Sequence, residues 1–163
     1  MPFQYDQVED EVVARLISVI PDFDIVPLPQ KSAEFKNPDE RPRITVAYGG
    51  SEFPAMKSTN ESRQDENVTV LINITSRLLR GDVGIYSIIE KVINALLGFR
   101  LSNIDRLLLK SIEFDNRDES TTIFSYNVTM IGKKLRIQIL SDAADDGPPL
   151  QTVTLNDVVQ LPN

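Results

Sequence analysis

Apolar residues recur at helical spacing over residues 4–20. Val8, Val12, Leu16 and Val19/Ile20 form a stripe that Val13 and Ile17 widen. This period predicts a helix packed on a core. Asp6, Glu9, Asp10 and Glu11 fall in its first turns, at the positive end of the helix dipole, and Pro21 stops it. A second helical stripe covers residues 83–98, with Ile85, Ile88, Ile89, Val92, Ile93, Leu96 and Leu97 on one wide face. Asp82 is the expected N-cap and Gly98 the expected C-terminal stop.

Elsewhere the period drops to two, the signature of half-buried strands. Residues 22–29 read as a short strand whose two prolines keep it off a sheet centre. In residues 43–48, Ile44, Val46 and Tyr48 share a face, and Gly49-Gly50 is the expected end. The strongest alternation is in residues 67–79, with Val68, Val70, Ile72 and Ile74 opposite Thr69, Leu71, Asn73 and Thr75. Residues 106–115 and 121–131 read as a hairpin, with Phe124, Tyr126, Val128 and Met130 on one face. Gly132-Lys133-Lys134 is the expected bend before Leu135, Ile137 and Ile139, a run that either continues the strand or forms a separate one. Two long polar loops are expected, at residues 30–42 and 51–66. The prediction is an α+β domain over residues 1–140. A mainly antiparallel sheet of four or five strands packs against two helices, with long polar loops and a C-terminal arm.

That arm, residues 141–163, differs in composition. It carries Asp142, Asp145, Asp146 and Asp157 and no Lys, Arg or Glu. Leu150, Val153 and Leu155 form a short β-like stretch after Gly147-Pro148-Pro149. Such a segment suits strand addition to a neighbour's sheet edge, or folding back on its own domain.

Composition narrows the function. The 163 residues hold 17 basic and 24 acidic side chains, a net charge of −7, with no His, Cys or Trp. A Ser-His-Asp triad, a Cys-His pair and the usual zinc sites are therefore excluded. The acidic balance lacks the basic footprint of a nucleic-acid binder. No apolar run reaches the length of a membrane span, and the first residues lack the pattern of a signal peptide.

The short motifs are weak. Asn67-Val68-Thr69, Asn73-Ile74-Thr75 and Asn127-Val128-Thr129 match a glycosylation acceptor but fall within predicted strands, and Asn60-Glu61-Ser62 lies in a loop. Arg80-Gly81-Asp82 is explained as a strand-to-helix junction. The run Asp115-Asn116-Arg117-Asp118-Glu119 puts an arginine at a calcium-ligand position. The run starting at Asp142 has Val153 where a bidentate Glu is required. No Gly-rich phosphate loop is present. Paired carboxylates for glycoside hydrolysis remain a remote alternative, because no two are paired by sequence. No cofactor or metal is implied, and the residues point to assembly rather than catalysis.

The arrangement resembles the tail terminator proteins of contractile-tailed phages and related contractile injection systems. The resemblance rests on Val8-Glu9-Asp10 in the first helix, on Arg41-Pro42-Arg43-Ile44-Thr45-Val46-Ala47-Tyr48 before a polar loop, and on Ser76-Arg77-Leu78-Leu79-Arg80-Gly81. The second helix opens Gly84-Ile85-Tyr86 and closes Leu96-Leu97-Gly98-Phe99-Arg100, before the hairpin. The likeness spans roughly residues 4–137 and leaves the arm outside.

It implies a non-enzymatic homohexameric ring at the virion tail–neck junction, assembled in the host cytoplasm. The implied partners are the tail tube, the sheath and a neck or connector protein, with DNA passing through the channel unbound. A tail completion or head–tail joining protein is the alternative. On this reading Arg41, Arg43, Arg77 and Arg80 face Glu9, Asp10 and Glu11 of a neighbour. Asp115, Asp118 and Glu119 are lumen candidates, where acidic groups repel phosphate. Phe53 and Met56 are candidates for contact with tube or neck. Leu150, Val153 and Leu155 are candidates for strand exchange.

Overall fold

The computed structural model describes residues 5–29, 41–55, 61–115 and 123–139. Its elements are helix α1 (Tyr5–Val19), strands β1 (Asp24–Pro27), β2 (Arg43–Glu52) and β3 (Glu61–Ser76), helix α2 (Ile85–Leu96), and strands β4 (Leu108–Phe114) and β5 (Phe124–Ile139). The fold is α+β. One five-stranded sheet has the order β1-β2-β3-β5-β4. β1 runs parallel to β2, while β2–β3 and β4–β5 are antiparallel.

The chain divides into two compact units. One contains Met1–Phe53 and Glu66–Lys134, the other Pro54–Asp65 and Leu135–Asn163. The first unit holds the core. Alternation along β3 sends Val68, Val70, Ile72 and Ile74 to one face, where Ile44, Val46, Val128 and Met130 join them. Val8, Val12 and Leu16 of α1 and Ile85, Ile88, Val92 and Leu96 of α2 are buried in the same cluster. The described part of the second unit comprises the start of β3 and the end of β5, and Gln64 Nε2 donates to the Pro54 carbonyl at 2.9 Å.

Both helices and the proline-limited edge position of β1 match the sequence expectation. Four boundaries do not. Gly49-Gly50 does not end β2. A bulge between Tyr48 and Ser51 carries the strand on to Glu52, with Gly50 at φ 101°. A Cβ at Gly49 would lie 2.7 Å from Leu71 Cγ, so glycine lets that side chain lie across the strand. The expected loop 51–66 is shortened from its far end, because β3 begins at Glu61.

Asp82 does not cap α2; the N-cap is Gly84, without a side-chain cap. The preceding turn supplies the acceptors instead. Ile85 N–H donates to Leu78 O at 3.0 Å and Tyr86 N–H to Leu79 O at 3.2 Å. A Cβ at Gly84 would sit 2.5 Å from the Arg80 carbonyl, so the turn needs glycine there.

Gly132-Lys133-Lys134 does not break the strand; of the two alternatives for the run after it, continuation holds, and β5 extends to Ile139. A Cβ at Gly132 would come within 2.4 Å of Ile104 Cγ2. The glycine marks a close approach of the 101–107 segment, not a break.

Candidate assembly surfaces

Antiparallel register places the basic residues. Arg43 lies opposite Thr75, so the chain just before β2 faces the chain just after β3. Arg41 and Arg77 thereby reach the same end of the sheet. They line a hollow of about 410 Å³ with Lys91 of α2, the apolar walls Phe23, Leu78 and Val83, and the acids Asp22 and Asp82. Lys91 Nζ lies 5.4 Å from the Phe23 ring centroid and donates to the Asp82 carbonyl oxygen. Ser76 Oγ ties the wall together, accepting from Leu78 N–H and donating to Val83 O. Among the described residues neither Arg41 nor Arg77 has an ion-pair partner. Arg43 differs, because its Nε bonds Asp24 Oδ2 at 2.8 Å. Arg80 is exposed in the turn before α2.

The acidic helix residues make contacts within the chain. Glu9 Oε1 accepts from the Tyr48 N–H beside the bulge at 2.8 Å. Glu11 accepts from Ser102 N–H at 2.9 Å and from Gln7 Nε2 at 3.2 Å. Asp10 is exposed.

Close to the bulge lies a polar cluster that sequence reasoning missed. Glu66 is fully buried and accepts from Ser51 Oγ at 2.7 Å and from Tyr5 OH at 3.2 Å. Tyr48 OH bonds Ser51 Oγ, and the Tyr5 and Tyr48 rings stack at 4.2 Å. Burial, then the Glu66 charge, push the Tyr5 phenol above its ordinary range. The alternation of β3 runs back through Glu66 onto the core face, and that parity was the available signal.

β4 is also unlike the expected strand. It lies at the sheet edge, and its apolar side chains face solvent. Leu108 is 56% exposed, Ile112 43% and Phe114 53%. Register pairs Leu109 with Met130, Ile112 with Val128 and Phe114 with Tyr126. Leu109, Ile112 and Phe114 thus continue the core face outward without burial. Tyr86 of α2 meets Tyr126 edge-on at 6.0 Å, and Phe114 packs on Tyr126 at 5.1 Å. The hydrogen bond with Tyr86, then burial, raise the Tyr126 phenol. The other face of the sheet is polar. Asn73 Nδ2 donates to Ser125 Oγ and Asn127 Oδ1, both at 2.8 Å, and Asn127 Nδ2 donates to Asp115 Oδ2 at 3.3 Å.

Of the remaining candidates, Phe53 is 50% exposed just beyond β2. Met56, Asp118, Glu119, Leu150, Val153 and Leu155 lie outside the described residues, as do most of loop 30–42 and the arm. Among the described residues no acidic cluster suits a metal ion, and no helix is long and apolar enough to cross a membrane.

A family described as Gp37 protein matches residues 12–157. The chain belongs to the Gp37 family. No curated protein matches. Among solved structures, a chain from the virion of a native gene transfer agent particle is similar at 12% identity and a TM-score of 0.44. The match covers 81% of this chain and 91% of that one.

Proposed function

We propose that this Gp37 family member is a non-catalytic structural virion protein that assembles into a ring, a homohexamer. The ring caps the head-proximal end of the tail tube, ends tube growth, and joins the tube and the last sheath ring to the neck. The observation that carries the assembly reading is the β4 edge. Leu108, Leu109, Ile112 and Phe114 are exposed on a strand that, at the end of the sheet order, has no described partner on its outer side. An apolar edge of this kind pairs or aggregates unless it is covered. Closing a ring requires two different, matching surfaces on each subunit. The β4 edge and the α1/β1 side lie at opposite ends of the sheet, as a head-to-tail contact needs. The resemblance of the helix, strand and turn sequences to tail terminators supplies the specific role. In this reading the basic hollow meets acidic groups of a neighbouring copy. Phe53 and Met56 contact tube or neck, and Asp115, Asp118 and Glu119 keep the channel unattractive to DNA phosphate.

The test combines light scattering of the purified full chain with negative-stain imaging after mixing with its own tail tubes. The expected result is a ring-sized cap on one tube end. Failure to cap competent tubes, with capture of a portal or connector instead, would move the protein to a head–tail joining role.

A further inference from the structure

The basic hollow has a lining, cations beside an apolar wall, that matches the composition of one segment of the chain. Three cations, Arg41, Arg77 and Lys91, stand around an apolar wall of Phe23, Leu78 and Val83. Asp22 and Asp82 also line it, so the surplus of positive charge is modest and the apolar wall must contribute. Lys91 is held by Phe23 and the Asp82 carbonyl, while Arg41 and Arg77 have no ion-pair partner among the described residues. An occupant needs a carboxylate to meet the arginines and aliphatic side chains to meet the wall. A purely anionic ligand would leave the wall wet, and a purely apolar one would leave the arginines unanswered.

Residues 155–161 of this chain have that composition. Asp157 is flanked by Leu155, Val158, Val159 and Leu161, and the whole arm contains no cation to repel the arginines. Beyond Ile139, where the described chain stops, the arm reaches on the order of 60 Å to Asp157 when extended. That is far enough to arrive at an adjacent subunit of a ring. We infer that the hollow lined by Arg41, Arg77 and Lys91 receives the Leu155–Leu161 segment of a second copy. The inference rests on the ring reading and names the acidic partner of its basic surface.

The absence of cysteine from the sequence makes the test clean. Full-length Val83→Cys places a thiol in the wall without touching the charges, and full-length Asn156→Cys places one beside Asp157. The two single variants are co-expressed and treated with a short bismaleimide. The expected result is a cross-linked dimer formed roughly tenfold faster than in the same experiment with Lys110→Cys in place of Val83→Cys. Docking raises the local concentration of one thiol at the other. Adding Arg41→Glu and Arg77→Glu to the Val83→Cys chain should abolish the excess, and high salt should reduce it.

Three results would overturn the inference. One is linkage no faster than in the Lys110→Cys control, another is an excess that survives Arg41→Glu with Arg77→Glu, and the third is that a chain carrying both Val83→Cys and Asn156→Cys links only within itself. Light scattering of the untreated protein separates the two claims. A ring that forms without the cross-link refutes only the docking of the arm, whereas a chain that neither forms rings nor caps tubes refutes the ring as well.

Discussion

A single buried carboxylate organises one end of β2 and β3. Glu66 takes hydrogen bonds from Ser51 and Tyr5, and Tyr5 in turn stacks on Tyr48. Removing this fully buried acceptor deletes the bonds from the half-buried Ser51 and from Tyr5 and leaves a cavity, and lost hydrogen bonds of this kind cost about 0.5–1.5 kcal/mol each. Glu66→Ala is therefore expected to lower the unfolding free energy from denaturant titration by about 1–3 kcal/mol, while Tyr5→Phe, at a half-exposed ring, is expected to cost less. The raised Tyr5 phenol adds a pH dependence. Below its ordinary pKa of 10.0 the phenol is protonated in both states, and its contribution is complete. As pH rises past that value the unfolded chain ionises first, so stability falls until the folded phenol ionises too. Stability measured across the alkaline range should fall less steeply in Tyr5→Phe than in the native chain. Gly84 is a second residue-scale constraint. Gly84→Ala drives a Cβ into the Arg80 carbonyl, and a loss of about 1–3 kcal/mol is expected in equilibrium unfolding.

At the scale of elements, α1 and β4 make opposite predictions. Leu16 is fully buried between α1 and the sheet, so Leu16→Ala should cost about 2–5 kcal/mol in the isolated subunit. Ile112 is on an edge and 43% exposed, so Ile112→Lys should leave subunit unfolding nearly unchanged. Its effect should appear in assembly, as a loss of ring-sized species by light scattering. A fall in subunit stability with assembly intact would show that β4 is a poorly covered core strand and not a contact surface. The helices and the strong alternation of β2 and β3 were legible because a one-sided core imposes its period on the sequence. β4 was legible as a strand but not as an exposed one, since Leu108, Leu109, Ile112 and Phe114 read like any buried run. Glycines misled at two places for one reason. A glycine that admits a bulge or a neighbouring side chain has the same letter as one that ends a strand.

At the scale of the molecule, the two sheet edges are treated differently. Pro27 ends β1 and Pro29 follows it, and proline blocks further pairing there, whereas β4 carries no proline and presents apolar side chains. A chain with one guarded and one open edge is suited to a directional contact. Mixing wild-type protein with an excess of Ile112→Lys should therefore leave short open assemblies. The variant keeps its α1/β1 side but has lost its β4 side. A variant that has no effect on wild-type ring closure would remove β4 from the contact.

The local period of apolar residues, the prolines near β1 and the lack of His and Cys settled the helices, most strands, the α+β class and the exclusion of the common catalytic constellations. Those properties depend on near neighbours or on residue type alone. The meeting of Arg41 with Arg77 and Lys91, the burial of Glu66 and the exposure of β4 depend on which strands become neighbours and which faces the helices cover. They are set by contacts between residues far apart in the chain, so only the tertiary structure decided them.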